Sequence, residues 1–290
     1  MIAPSSHHSR SAAITGAAEG LGRDIALELA AKGYTVFGTA MSESTCAALT
    51  EQSNGHIILT VCDITDEQAV KSWTSSVSQA LGDHGLDLLV SNAGILTPGP
   101  LEVVPLDAIR HEFEVNTFGP LSVINGFLPA LRNARGRIMH ISTWSARLPL
   151  PFNGPSGASK AAMDVFAMVY RAELKKFGID VVLVPAGNMQ TGGPAKTAAA
   201  LAHVADGMSA AERALYGDEF ATFTRVLNSM QGNGLDSLSA ARAVVKAAEE
   251  DPPASLAPIG DDAVGILEAV RQKSDAEQDE LRLALVGLSP

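Results

Sequence analysis

The stretch at residues 137–160, RIMHISTWSARLPLPFNGPSGASK, decides which fold this chain adopts. It predicts a buried strand at residues 138–142, then a proline-rich loop, then the start of a long helix that carries Lys160. This order places Thr143, Ser156 and Lys160 near one another at the end of a strand. Open α/β sheets bind ligands outside the carboxyl ends of their strands, so we expect a functional site here.

A glycine-rich segment near the N-terminus indicates a second part of the same site. An apolar strand at residues 11–15 is followed by Gly16, Gly20 and Gly22, and helical spacing of apolar residues begins at Leu21. A second strand follows at residues 35–39. Glycines between a strand and a helix let the backbone approach a pyrophosphate, and the helix N-terminus favours negative charge. The spacing G-x-x-x-G-x-G in this setting predicts a dinucleotide-binding loop.

The alternation of strands and helices continues along the chain. Further strands are predicted at residues 56–61, 86–91 and 180–184, with a helix capped by Thr65 and another from about 107 to 132, interrupted near Gly119 and Pro120. Strands that alternate with helices predict a doubly wound parallel sheet with helices on both faces. No internal repeat or linker divides the chain, so we expect one domain over residues 1–290, with a flexible tail at residues 1–9.

Composition excludes several classes of function. The chain has 21 Lys and Arg against 32 Asp and Glu, a formal net charge of −11 at pH 7. This balance repels phosphate backbones and anionic lipid, so neither a nucleic-acid nor a membrane partner is expected. Two cysteines are too few for a disulfide framework or a multi-cysteine metal site. We therefore predict a cytoplasmic protein without a metal.

Three further segments predict a lid, the C-terminal elements and a subunit interface. Residues 192–230, which begin with a Gly-Gly-Pro hinge, have apolar residues at helical spacing and predict a substrate lid. Residues 235–290 predict C-terminal helices and a last strand at 255–259. The helix after Ser156 carries Asp164 as its only charge over ten residues, which favours a subunit interface over deep burial and predicts a homodimer or homotetramer.

The motifs together resemble the short-chain dehydrogenase/reductase family, classical type, over roughly residues 10–260. The resemblance implies a Rossmann-type fold with seven parallel strands. It also implies a set of cofactor-binding residues: Thr15, Gly16, Gly20, Leu21, Gly22, Asp63, Ile64, Asn92, Ala93, Gly94, Lys160, Gly187 and Thr191. In this family Asp63 would contact the adenine and Thr191 would meet the nicotinamide amide.

The resemblance also implies the catalytic residues, and here the chain departs from the family pattern. The family uses an Asn, a Ser, a Tyr and a Lys, and these positions fall on Asn116, Thr143, Ser156 and Lys160. Thr143 keeps a hydroxyl, but Ser156 replaces the phenol that gives a proton to the carbonyl. An aliphatic hydroxyl is a far weaker acid and its side chain is shorter. Losing a positioned general acid typically removes roughly 10²–10⁴ of rate.

The sequence also indicates a cofactor preference and a substrate class. At the end of the second strand the chain has Ala40 where an Asp would bind the ribose 2′-hydroxyl of NAD(H), so we favour NADP(H), although no cation marks the position. Trp144 and Arg147 after the site strand, and Tyr216 in the lid, are candidate contacts to a hydrophobic small-molecule substrate.

Three functions compete at this stage. The first is an NADP(H)-dependent carbonyl reductase or alcohol dehydrogenase with an altered acid. The second is a non-redox enzyme on the same scaffold, such as a cyclase, isomerase or lyase, in which Lys160 and the pocket position a reactive substrate. The third is a non-catalytic nucleotide-binding protein. A lid and an apolar pocket argue against the third more than against the second.

Overall fold

A six-stranded parallel sheet forms the centre of the computed structural model, which describes residues 9–191 and 193–289. The strand order is β3-β2-β1-β4-β5-β6, and every neighbouring pair runs parallel. The strands are Ser11–Ile14 (β1), Thr35–Ala40 (β2), Ile57–Val61 (β3), Leu88–Ser91 (β4), Arg137–Thr143 (β5) and Asp180–Ala186 (β6). A separate pair, Met189–Gln190 (β7) and Leu235–Asp236 (β8), is also parallel.

Helices connect the strands and cover both faces of the sheet. They are Gly20–Ala31 (α1), Glu43–Gln52 (α2), Glu67–Leu81 (α3), Leu106–Phe113 (α4), Gly119–Ala134 (α5), Gly154–Leu174 (α6), Gly193–Gly207 (α7), Ala210–Gly232 (α8), Ser237–Glu249 (α9), Asp261–Gln272 (α10) and Asp275–Leu285 (α11). The predicted α/β class and parallel sheet are confirmed. Because the order of strands reverses between β1 and β4, the carboxyl ends of these two strands form a crevice suited to a ligand.

The sheet separates two apolar cores. On one face Ile14 and Val36 pack with Ile25 of α1 and Val244 of α9. On the other face Ala13 and Leu89 pack with residues of α3, α5 and α6, among them Trp73, Phe127 and Met163. Alternate residues of a strand point to opposite faces, so every strand of this sheet except β3 contributes to both cores. The edge strand β3 contributes Ile57 to the first core and leaves Ile58 and Val61 exposed.

The seventh strand predicted at residues 255–259 is wrong as a strand of the main sheet. The segment runs beside β6 and forms two isolated bridges, Leu183 to Leu256 and Ala186 to Ile259. Pro185 lies between the two bridges and has no N–H to donate to the segment, so the ladder of backbone hydrogen bonds is interrupted there. The segment therefore covers the sheet edge without becoming a full strand.

Two local predictions also differ from the structure. The cap of α3 is Asp66 rather than Thr65, because Asp66 Oδ1 accepts from the N–H groups of Gln68 and Ala69 at 2.8 and 3.0 Å. The long helix near residues 107–132 is interrupted earlier than Gly119. A π-helical turn at Glu114–Phe118 joins α4 to α5. Single π turns are common at functional sites, and this one contains Asn116.

The predicted lid forms α7 and α8, which pack over a third apolar cluster. Phe220, Phe223 and Leu201 of these helices contact Trp144 and Leu150 from the loop between β5 and α6. Gly192 of the predicted hinge, and residues 1–8 of the predicted tail, lie outside the described residues. Across the described ranges we find no helix with the length and apolar character that crossing a bilayer demands.

Candidate active site

The glycine-rich loop between β1 and α1 is a backbone cradle. Gly16 and Gly20 have left-handed φ angles of +66° and +53°. A Cβ on Gly22 would lie 2.2 Å from the carbonyl oxygen of Gly16, so a side chain at this position would break the loop. Gly20 faces Thr191, whose Cβ lies 3.7 Å from the position of a Cβ on Gly20. The structure thus brings Thr191 to the loop from a distant part of the sequence.

Thr15 and Asn92 join the ends of β1 and β4. The Thr15 hydroxyl accepts from the N–H groups of Asn92 and Ala93 at 2.9 and 3.0 Å. The Asn92 amide donates to the carbonyl oxygens of Thr15 and Gly16 at 3.0 and 3.3 Å. These bonds hold the cradle against the neighbouring strand, at the crevice where the strand order reverses.

The remaining predicted cofactor residues lie around this crevice at different depths. Asp63 is exposed after β3 and accepts from the Thr65 N–H and hydroxyl at 2.9 and 2.8 Å. Ile64 and Leu21 are buried. Gly187 follows β6 and donates its N–H to Ile259 at 2.8 Å. The position leaves no room for a side chain, because a Cβ would lie 1.8 Å from a carboxylate oxygen of Asp262.

Asn116 is fixed from several directions. Its Oδ1 accepts from the Ile95 N–H at 2.9 Å, and its Nδ2 lies 3.0 Å from the Ile95 carbonyl oxygen. The same Nδ2 lies 3.1 Å from Glu112 Oε1 and 3.0 Å from Ser159 Oγ. The π turn makes this possible because it rotates Asn116 out of the α-helical register and into the site.

Lys160 lies in front of Gly94, on the same side as Asn116. A Cβ on Gly94 would lie 3.2 Å from Lys160 Nζ and 3.1 Å from Asn116 Oδ1. The ammonium donates to the Ile141 carbonyl oxygen of β5 at 3.0 Å. Burial lowers the pKa of Lys160 to about 8, against the opposing effect of Asp164 and Glu112. The structure therefore brings Asn116, Gly94 and Lys160 together.

Glu112 is a site residue that the sequence reasoning missed. It is fully buried, and its Oε2 accepts from the Thr97 N–H at 2.9 Å while Oε1 accepts from Asn116. Burial raises the pKa of Glu112 to about 7. An available signal was its position one helical turn before Asn116, which places an acidic residue on the same face.

Behind Lys160 lies a second group of buried polar side chains. Asp164 is one helical turn beyond Lys160, and its Oδ2 lies 3.6 Å from an Arg147 guanidinium nitrogen. Burial raises the pKa of Asp164, whereas Ser142, Arg147 and Lys160 lower it. His140 is fully buried beneath α6, and burial lowers its pKa, so the ring is neutral near pH 7.

Thr143 and Ser156 are the two predicted catalytic hydroxyl groups, and they lie on different elements. Thr143 ends β5, and its Oγ1 lies 3.2 Å from Ser145 Oγ. Ser156 is half-buried in the first turn of α6, exactly four residues before Lys160, so both side chains lie on one face of the helix. The Ser156 carbonyl accepts from Ser159 Oγ at 3.2 Å, which links this turn to Asn116.

The three predicted substrate contacts have different surroundings. Trp144 is buried in the apolar cluster beneath α7 and α8. Arg147 faces Asp164, and the half-buried Tyr216 donates its hydroxyl hydrogen bond to Glu102. Phe152, in the same loop as Trp144 and Arg147, has a left-handed φ of +60° and edge contacts to Phe220 and Phe223. The loop between β5 and α6, which separates Thr143 from Ser156, therefore packs against aromatic side chains of α8.

Comparisons with known proteins agree with this geometry. Mouse estradiol 17-beta-dehydrogenase 2 is 32% identical over 181 residues, which cover 61% of this chain and 48% of the relative. The chain thus matches about half the length of that relative.

Solved structures match nearly the whole chain. A short-chain dehydrogenase from Burkholderia cenocepacia in complex with NADP has a TM-score of 0.71 and 23% identity, covering 95% of this chain and 98% of its own. A short-chain dehydrogenase/reductase from Burkholderia phymatum in complex with NAD has a TM-score of 0.76 and 20% identity, covering 94% and 95%. At this identity these two structures establish a shared fold.

A family model completes the comparison. The model for short chain dehydrogenases matches residues 10–201, a span that contains the glycine cradle, Asn116, Thr143, Ser156 and Lys160. Because this match covers more than half of the sequence, the chain belongs to the short-chain dehydrogenase family.

Proposed function

We propose that this chain is an oxidoreductase that interconverts a carbonyl and an alcohol on a hydrophobic small molecule, with NADP(H) and an altered proton donor. The observation that carries the proposal is the cluster of Asn116, Gly94 and Lys160 beside an intact glycine cradle. A chain that had lost nucleotide binding would have no reason to keep a buried ammonium at this position, because burial of a charge costs free energy.

The residues of the crevice fit a nicotinamide nucleotide. The cradle at Gly16 and Gly22 leaves the backbone open to a pyrophosphate, and the N-terminus of α1 favours its charge. Lys160 would hold the ribose hydroxyls, and Thr191 would meet the carboxamide. When bound, the nicotinamide supplies or accepts the hydride.

The preference for NADP(H) is supported by the end of β2. Ala40 is buried there and Met41 is exposed, so no carboxylate is present to bind the ribose 2′-hydroxyl. Ser42 caps α2, and its hydroxyl lies 3.2 and 3.0 Å from those of Ser44 and Thr45. A 2′-phosphate is negatively charged, so hydroxyl groups at a helix N-terminus suit it better than a protein carboxylate at the same position would.

Proton transfer is the step in which we expect this chain to differ from its family. Thr143 would orient the substrate oxygen, and Lys160 would hold a proton at its ammonium. We propose that Ser156 replaces the family's tyrosine and that Thr143 replaces its serine. The Ser156 hydroxyl ionises too weakly to act as the acid near pH 7. We therefore propose that the proton passes from Lys160 to the substrate oxygen through a small relay group, such as a water molecule in the space that a tyrosine ring would fill.

We infer the substrate class from the apolar side chains near the predicted catalytic residues. Trp144, Phe152 and the phenylalanines of α8 form an apolar cluster beside the loop that follows Thr143, which favours a hydrophobic substrate. The relative named above is a steroid dehydrogenase, which supports the same class.

Nucleotide binding and turnover test this function directly. We expect the protein to bind NADPH in a fluorescence titration and to oxidise it slowly with hydrophobic ketones. Replacing Ser156→Tyr should raise turnover by roughly 10²-fold or more, because a phenol beside an ammonium is an effective acid. Absence of nucleotide binding would contradict the proposal.

A matched variant distinguishes the effect of the phenol hydroxyl group from the effect of the bulk of the ring. Ser156→Phe adds the same bulk without a hydroxyl, so we expect no gain in turnover. Equal rates for Ser156→Tyr and Ser156→Phe would show that the missing acid is not what limits the reaction. Binding of NADPH without oxidation by any variant would favour the non-redox alternative.

A further inference from the structure

Glu112 is a buried carboxyl group in a position that the fold does not require. Its side chain has no exposed surface, and it accepts hydrogen bonds from the Thr97 N–H at 2.9 Å and from Asn116 Nδ2 at 3.1 Å. A glutamine would fill the same volume without the cost of burying a charge. The two carboxylate oxygens accept from two N–H donors, whereas an amide has one acceptor oxygen and would present its NH2 group to one of them.

Lys160 faces titratable groups from three elements. Asp164 follows it on α6, Glu112 lies on α4, and His140 lies on β5 as a neutral ring. The two carboxyl groups are not equivalent. Asp164 lies 3.6 Å from the Arg147 guanidinium, which offsets its charge. Among the residues that the structure describes, no Lys or Arg nitrogen lies within 4.0 Å of Glu112.

We propose that Glu112 is a positioning residue of the nucleotide site, whose carboxylate orients the Asn116 amide and keeps Lys160 in its ammonium form. The proposal rests on the function proposed above, because the ammonium is what would hold the ribose. Glu112 does not touch the nucleotide or the substrate. It acts through Asn116 by a hydrogen bond and through Lys160 by its charge.

The geometry explains why one carboxyl group serves both neighbours. Oε1 accepts from Asn116, whose Oδ1 lies with Lys160 Nζ around Gly94. Oε2 is held by the Thr97 N–H, so the carboxylate has one orientation. The pKa of Glu112 is about 7 and that of Lys160 about 8, so both groups are charged between these values. Removing the carboxylate should therefore let the ammonium lose its proton at lower pH.

The titration of Lys160 tests the proposal without any need for activity. We would label the lysine side chains with ¹³C, follow their NMR signals from pH 6 to 11, and identify the Lys160 signal by its loss in Lys160→Arg. In Glu112→Gln we expect the pKa of Lys160 to fall by about one unit, the usual size of one nearby opposite charge. Glu114→Gln is the matched control, because Glu114 is an exposed acid two residues further along the chain.

NADPH affinity provides the second measurement. Binding should weaken as pH rises through the pKa of Lys160. In Glu112→Gln this loss of affinity should begin about one pH unit lower. At pH 9 the fraction of Lys160 in the ammonium form would then be about tenfold smaller than in the wild-type protein. Glu112→Asp keeps the charge and should restore part of the difference. An unchanged Lys160 titration in Glu112→Gln, or an equal change in Glu114→Gln, would overturn the proposal. If the wild-type protein binds no nucleotide, the proposed function fails, and the NMR titration still decides whether Glu112 controls Lys160.

Discussion

Gly94 is the residue on which the approach of Asn116 to Lys160 depends. A methyl group here would lie 3.1 Å from Asn116 Oδ1 and 3.2 Å from Lys160 Nζ, closer than ordinary van der Waals contact. The polar groups would have to move apart by a few tenths of an ångström. Precise placement of such groups is what binding and catalysis depend on.

We therefore expect Gly94→Ala to weaken NADPH binding by about tenfold with little loss of thermal stability, because the site opens to solvent at this edge. Fluorescence titration and thermal unfolding measure the two effects. Gly265→Ala is the control, since a Cβ at this position in α10 meets nothing within 4 Å. Equal affinity of Gly94→Ala and the control would show that the site tolerates the methyl group.

Glu112 also predicts how stability depends on pH. Its pKa in the folded protein is about 7, above the usual value of 4.5, because burial favours the protonated form. The folded state thus binds more protons than the unfolded state between these values. This group therefore lowers stability progressively as pH rises from about 4.5 to about 7, and the loss stays constant above that range.

Replacing Glu112→Gln should remove this loss. We compare the free energy of unfolding of the variant with that of the wild-type protein. The difference in favour of the variant should increase by about 2–3 kcal/mol from pH 5 to pH 8, since one pKa unit corresponds to about 1.4 kcal/mol. Urea unfolding at the two pH values measures the difference, and Glu114→Gln should follow the wild-type curve. A pH-independent difference between wild type and Glu112→Gln would show that the carboxyl group does not titrate in this range.

At the scale of secondary-structure elements, the start of α3 shows how a cap is chosen. Thr65 and Gln68 match a capping-box pattern, but the backbone places Asp66 at the N-cap and leaves Thr65 bonded to Asp63. Asp66 is the stronger cap because its carboxylate accepts two N–H bonds and its charge suits the helix N-terminus.

We expect Asp66→Ala to lower the free energy of unfolding by about 1 kcal/mol, the usual cost of losing an N-cap. Thr65→Ala should cost less, because its hydroxyl bonds only to an exposed side chain. Denaturant unfolding of the two variants under the same conditions provides the comparison. A larger loss for Thr65→Ala than for Asp66→Ala would assign the cap to Thr65.

At the scale of the whole molecule, α6 presents an apolar face that the single chain leaves uncovered. Val165, Phe166 and Val169 are 41–55% exposed, and Phe118 at the start of α5 is 51% exposed. The same helix carries Lys160 on its buried side. We propose that a second copy of the chain covers this face, because such a group of large apolar side chains is typical of an interface.

Replacing Phe166→Asp should then shift the protein from dimer or tetramer toward monomer, because a charge in an apolar contact is costly. Sedimentation velocity measures the change. Val264→Asp introduces the same charge at an exposed apolar residue of α10, away from this face, and should leave the assembly unchanged. A wild-type protein that sediments as a monomer would contradict the interface.

The sequence by itself determined the parallel α/β fold and indicated candidate residues for the site, because apolar periodicity and glycine spacing are local properties. Thr15, Gly22, Asn116 and Lys160 could be identified from short motifs, each adjacent to a predicted strand end or within a helix. The proposal that Ser156 takes the place of the family's tyrosine rests on the same kind of information, since it depends only on the distance from Lys160 along the chain.

The tertiary structure decided what depends on contacts between distant segments. It placed Glu112 against Thr97 and Asn116, brought Thr191 to Gly20, and reduced the predicted seventh strand to two bridges. The burial of a carboxyl group, and hence its pKa, comes from the elements packed around it and has no signature in the local sequence. Local sequence patterns therefore indicated the candidate residues of the site, whereas tertiary packing determined their protonation states and their hydrogen-bond partners.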